Sequence, residues 1–315
     1  GDYIIGDNSR MTSAENSRPP ITPRFWPSWL AVGIMWLLGK TPQVFGLAAS
    51  VPMAWVLLRL LKRRRFIAMR NIERCFPEKD DAWRARVLRQ HFRALARMVF
   101  ESCWSWSAAP RRLRRISRIE GMENIKRAKE RGGVIFITAH VTCIEMGGRI
   151  TAFAAPHSGL VYRPLKNPVI EWYQNRCRAR YPSQSFSKRD LRGLVRFLRK
   201  GGTLWYAPDQ DFGPERSRFA PFFGIETATL EATIKLVEMS RCTVVPMFPV
   251  YDQETRRYTV TFDAALENFP SGNLREDLAR INRIFEEKIR RAPEQYWWIH
   301  RRFKTRPEGE PPFYE

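Results

Sequence analysis

His140 and Glu145 are the residues of this chain best suited to chemistry. They lie in the run Thr138-Ala139-His140-Val141-Thr142-Cys143-Ile144-Glu145, directly after Val134-Ile135-Phe136-Ile137. That preceding run is short, apolar, β-branched and aromatic, and reads as a buried strand. The end of such a strand is where α/β sheets place their sites. An imidazole held through one ring nitrogen by a carboxylate presents the other as a general base, an arrangement that serves acyl transfer to a hydroxyl. On one regular helix, side chains five apart would stand about 140° apart and could not meet. His140 is therefore expected in a turn before a helix, with Glu145 in the first helical turns fixing the ring's tautomer. Backbone N–H groups after His140 would then be placed to hold an oxyanion. Taken alone, a His and a Glu five apart describe a satisfied structural histidine better than a catalytic one, so the company they keep decides.

The elements that must position this pair follow from periodicity. Between Asp80 and Trp106, apolar residues including Val87, Leu88, Phe92, Leu95, Met98 and Val99 recur at helical spacing with arginines on the other side, which predicts a packing helix. After the His140 motif, Leu160 to Tyr162 reads as a strand, Val169 to Arg178 as a helix, and Leu191 to Leu198 as a basic amphipathic helix ended by Gly201-Gly202. Thr203 to Tyr206 reads as a strand, Leu230 to Met239 as a helix, Thr243 to Val250 and Tyr258 to Phe262 as a hairpin, and Leu274 to Arg291 as a last long helix. The consistent solution is an α/β fold, a mixed β-sheet flanked by helices.

Upstream, Trp29 to Gly39 and Val44 to Leu58 are nearly all apolar, and Arg59, Lys62, Arg63, Arg64 and Arg65 follow. Neither run reaches the roughly 20 residues that span a bilayer. One broken spanning helix, two interfacial helices and a core hairpin all fit, and the basic flank favours an anionic cytoplasmic membrane surface. The chain thus divides into a flexible N-terminal segment (1–24), a hydrophobic membrane anchor with a basic flank (25–65) and a catalytic domain (66–315). Residues 1–10, ahead of Met11, are set aside from fold reasoning.

The net charge of +22 implies a strongly anionic partner. Nucleic acid, an acidic carrier protein, phosphorylated headgroups and an anionic membrane all satisfy it. No helix-turn-helix, zinc finger or aromatic-stacking signature supports nucleic acid. The five cysteines form no C-x-x-C pair, and the four histidines stand at no metal-ligand spacing, so no metal is expected.

Several ordered motifs carry a resemblance. Arg70-Asn71-Ile72-Glu73, Cys75-Phe76-Pro77-Glu78, the His140 to Glu145 motif, Tyr162-Arg163-Pro164 with Asn167-Pro168, Trp205 to Asp211 with Gly213-Pro214, and the tail from Pro293 through His300-Arg301-Arg302-Phe303 to Gly309 lie at matching intervals. From about Trp26 to Tyr314 the chain resembles the lipid A late acyltransferases, within the H-x4-D/E glycerolipid acyltransferase superfamily. Its tail, and Glu at the acidic position, look more like the lauroyl-type branch than the myristoyl-type.

The resemblance implies a glycerolipid-acyltransferase-like fold and an acyl-carrier-protein thioester donor, with no metal or bound cofactor. It also implies a Kdo-modified lipid IVA acceptor and a catalytic domain on the cytoplasmic side of a bacterial inner membrane. His140 would be the general base and Glu145 its orienter, with no acyl-enzyme on Cys143. Arg163, Asn167, Asp209 and Asp211 would contact the acceptor, although turn chemistry explains the two aspartates equally well. The same residues leave open a superfamily member acting on another lipid, such as a lysophospholipid or an aminolipid. A basic scaffold without catalysis is the rival of a different class.

Overall fold

A computed structural model describes residues 19–162, 164–179, 184–187 and 190–315. The first eighteen residues, which hold most of the segment expected to be flexible, and Arg163 lie outside the described residues. Five strands run parallel at the centre of the fold: β2 (Val134–Ile137), β3 (Gly159–Tyr162), β4 (Gln184–Ser187), β5 (Thr203–Tyr206) and β8 (Thr243–Asp252). β9 (Arg257–Phe262) returns antiparallel to β8, and β1 (Ser117–Glu120) pairs parallel with β9, giving the order β1-β9-β8-β2-β5-β3-β4. The expected mixed α/β sheet flanked by helices is the observed architecture.

β2 is fully buried and shows why it lies central. Its side chains alternate between faces: Ile135 and Ile137 join one core, Val134 and Phe136 the other. The first core is closed by α3 (Lys62–Cys75), the first half of α4 (Asp81–Ser107), α9 (Leu191–Arg199), α10 (Ala232–Ser240) and α11 (Leu274–Arg291). The second is closed by Phe100 and Trp104 of α4, with α5 (Pro110–Arg115), α6 (Met122–Glu130) and α7 (Ile144–Ala154). Asp80 caps α4 by accepting from the Trp83 N–H.

The two N-terminal apolar runs are separate helices, α1 (Trp26–Lys40) and α2 (Gln43–Leu60), broken at Thr41-Pro42. Both lie against α4, and two glycines permit the approach. A Cβ on Gly39 would meet Ser107 Cβ at 2.4 Å, and one on Gly46 would meet the Trp104 ring at 2.4 Å. Arg112 donates to the last carbonyls of α1 and to Thr41 O, satisfying acceptors a helix end leaves open. The outer faces of both helices stay exposed, with Trp26, Leu30, Trp36, Phe45 and Trp55 among them.

One expectation needs correction. Leu230 ends a strand, β7 (Ile225–Leu230), paired antiparallel with β6 (Ser217–Phe222), and α10 begins only at Ala232. The hairpin turns on Phe223 and Gly224, both at positive φ (51° and 71°), the geometry of a type I′ turn. Phe-Gly is not the Asn-Gly signal by which such turns are recognised, so the hairpin left no mark on the sequence.

Candidate active site

The register of the sheet builds the site. Ile137 pairs with Tyr206 where β2 and β5 end level, and Thr138 N donates to Tyr206 O just beyond. Three residues past each strand end stand His140 and Asp209. Asp209 is buried, and its carboxylate grips His140 twice: Oδ2 accepts from the His140 backbone N–H at 3.0 Å, and Oδ1 lies 2.5 Å from Nδ1. With Nδ1 donating to a carboxylate, the neutral ring carries its lone pair on Nε2. The His140 side chain remains 28% exposed and lines a cavity of about 570 Å³ beside Val161, Leu191, Leu194, Trp205 and Phe212.

Burial opposes charge on both groups, and the pairing outweighs it. Burial would lower the His140 pKa, but the Asp209 charge and hydrogen bond hold it above its ordinary value. Burial would likewise raise Asp209, whereas His140 and the Arg302 charge hold it below. His300, also near Asp209, behaves oppositely: burial takes it down to about 4, and its Nε2 accepts from the Asp211 N–H.

The C-terminal tail seats the histidine loop. Val141 bridges Tyr296; Thr142 N donates to Gln295 O, and Trp297 N to His140 O. Asn71 of α3 donates to Trp298 O and His300 O, and accepts from the Tyr314 hydroxyl. The Arg70-Asn71 motif and the tail are therefore one structural unit.

Glu145 is not where the spacing placed it. α7 starts at Ile144, so Glu145 is its second residue, and a helix start turns it away from the ring. Its Oε2 accepts from Trp106 Nε1 at 3.0 Å and its Oε1 from Arg178 at 2.9 Å, and no hydrogen bond joins it to His140. The expected Glu145–His140 pairing is replaced by Asp209–His140. Two of the amides expected as oxyanion donors are also committed: Thr142 N to Gln295 O, and Ile144 N to Val141 O.

The residues expected at the acceptor fare differently. Asn167 caps α8 (Pro168–Arg178), accepting from the Val169 and Ile170 N–H groups, and donates to Ser28. Asp211 accepts from Gly213 N and from Thr305 N and Oγ1, which shapes the loop and ties it to the tail. Asp209 sits on the histidine, and Arg163 lies outside the described residues. Trp106 and Arg178 were not singled out in the sequence, because each ends a helix with no local motif. Cys143 is buried, and desolvation pushes its thiol far up, which suits packing and not nucleophilic attack. Among the described residues, no three His, Cys, Asp or Glu side chains converge as a metal site.

Comparison with known proteins decides the family. The profile of the family described as bacterial lipid A biosynthesis acyltransferase matches residues 15–305. The chain belongs to that family. It is an acyltransferase of lipid A biosynthesis, and the curated relatives grade by branch. Over 300 residues it is 36% identical to the lipid A biosynthesis palmitoleoyltransferase of Escherichia coli (strain K12), covering 95% of this chain and 97% of the relative. The lauroyltransferase of the same strain is 35% identical, covering 93% and 96%, and the myristoyltransferase 29%, covering 91% and 90%. Among solved structures, the 1-acyl-sn-glycerophosphate acyltransferase PlsC of Thermotoga maritima aligns over 75% of this chain and 97% of its own. Its 14% identity and TM-score of 0.38 make it too distant to bear on activity.

Proposed function

We propose that this acyltransferase moves a fatty acyl chain from an acyl-carrier-protein thioester to a hydroxyl of Kdo-modified lipid IVA. The observation that carries the mechanism is the Asp209 grip on His140 Nδ1, which leaves Nε2 toward the cavity as a base. Nε2 takes the proton of the attacking hydroxyl as its oxygen bonds to the thioester carbonyl. The imidazolium, stabilised by Asp209, then returns that proton to the departing thiolate. No acyl-enzyme is needed. Glu145 serves the site through Arg178 and Trp106, binding the start of α7 to α8 and to the end of α4.

The donor and the membrane are supported by charge and exposure. Leu191 and Leu194 line the cavity from α9, whose other face carries exposed Arg192, Arg196 and Arg199, a surface suited to an acidic carrier protein. α2 is apolar enough to enter a membrane, with mean hydropathy 1.5 and 17% burial, and the basic start of α3 follows it. α1 has 15 residues, which at about 1.5 Å each falls short of a hydrocarbon core of about 30 Å. With both helices packed on α4, the pair dips its outer face into the cytoplasmic leaflet of an inner membrane as an anchor comprising residues 25–65, and residues 66–315 form the catalytic domain.

The test incubates detergent-purified protein with acyl-carrier-protein thioesters and Kdo-modified lipid IVA, and reads the product by mass spectrometry beside a His140→Ala control. One added acyl chain, absent from the control, is the expected result. Folded protein that adds nothing with any donor would overturn the acceptor and donor assignments.

A further inference from the structure

Trp205, near the end of β5, is half-buried and borders two separate spaces. On one side lies the His140 cavity of about 570 Å³. On the other lies a chamber of about 80 Å³, bounded by Gly148, Ala152, Gly159 and Leu160, with the Glu145–Arg178 pair in its wall. The indole N–H is buried and has no hydrogen-bond partner among the described residues. Buried donors are nearly always paired; this one is not, so turning the ring breaks no hydrogen bond to the described residues. Across from it, Gly148 offers no side chain. A Cβ there would meet the ring only at 3.5 Å, so the indole faces bare backbone on that side.

The geometry points to Trp205 as a movable partition that sets how long an acyl chain this enzyme transfers. The inference rests on the acyl-donor reading above. A chain whose thioester lies at His140 runs through the cavity toward the indole and stops against it. When the ring turns, the space behind it joins the cavity, and further methylenes are accommodated against Gly148, Ala152, Gly159 and Leu160. Among the described residues Trp205 is the lining residue that the two spaces share, which is why an acyl tail entering from the His140 side is the occupant assigned to the space behind it.

The experiment reads the chain-length profile of the transferred group. Acyl-carrier-protein thioesters bearing saturated chains of graded length are supplied together to the full-length protein with Kdo-modified lipid IVA. Trp205→Ala joins the two spaces and moves the profile toward longer chains, by up to about fourfold for each methylene newly buried. Gly148→Leu fills the chamber beside the indole and moves the profile the opposite way. Should Trp205→Ala fail to fold, Gly148→Leu still decides, because it keeps the indole and lies on α7, outside the strand that carries Trp205. Coincident profiles from folded wild type and variants, or shifts of both variants in one direction, would overturn the partition while leaving the reaction standing. A wild type that transfers no chain at all would instead overturn the proposed reaction, and this role for Trp205 with it.

Discussion

Asp209 and Glu145 both lie beside the loop that carries His140, one from 69 residues along the chain and the other from five. The distant one holds the imidazole. The near one faces the opposite way, into a cluster with Trp106 and Arg178. Two neighbouring parallel strands that end in register bring together residues equally far past their ends, whatever lies between them in sequence. A helix start does the reverse. It rotates successive side chains by about 100° each and carries a near neighbour out of reach within a turn. The carboxylates therefore differ in kind: Asp209 sets the charge and tautomer of the ring, and Glu145 braces the wall behind it.

Substitutions at the two carboxylates sharpen or break that contrast. His140→Ala sets the ceiling, with turnover expected to fall about 10²- to 10⁴-fold in a protein that still folds; steady-state kinetics and circular dichroism check both halves of the claim. Asp209→Asn should fall by a comparable factor, since an amide in that place can donate to Nδ1 and force the proton onto Nε2.

Glu145→Gln is expected to cost clearly less than Asp209→Asn. It keeps an acceptor for Trp106 and loses only the charge opposite Arg178, an ion pair with side chains 28% and 21% exposed. Equal losses at the two positions would collapse the distinction.

The pH dependence separates the pair further. A base must be neutral, so kcat/KM falls as pH drops through the His140 value, which the Asp209 charge holds above the ordinary one. Asp209→Asn should move that acid limb toward lower pH, and Glu145→Gln should leave it in place.

Stability follows the same linkage. The raised His140 value contributes stability in full below the unfolded imidazole value of about 6.5, and loses it as pH rises through the folded value. The lowered Asp209 value contributes above the unfolded carboxyl value of about 3.9, and loses it as pH falls through the folded value. Thermal unfolding should therefore show Asp209→Asn costing more near pH ~5.5 than near pH ~9.

Asn167→Ala gives the smallest effect. Its side chain caps α8, so about 1 kcal/mol of stability should be lost with turnover nearly unchanged. A marked rise in acceptor KM would instead restore Asn167 to substrate binding.

How far the sequence led can be seen at these same residues. The strand Val134–Ile137, the turn carrying His140 and the helix after it were legible, because burial, β-branching and periodicity are local signals. Asp209 stood out as an acid following a strand, yet its partner did not. Strand order is a long-range property, and β5 becomes the neighbour of β2 only once the sheet is assembled. Arg178 and Trp106 carried no local signal, since what matters is where their helices end. Nothing in the tail's own pattern revealed that Gln295 and Trp297 hold the His140 loop by backbone bonds, because backbone pairing of this kind leaves the side chains free to vary.

The most direct test of the Asp209–His140 clasp is nitrogen and proton NMR of the imidazoles, tractable in a chain with four histidines. His140 should show a protonated Nδ1 with its proton far downfield in wild type and in Glu145→Gln, and should lose that signal in Asp209→Asn. A downfield proton that survives Asp209→Asn and disappears in Glu145→Gln would contradict the assignment and return the ring to Glu145.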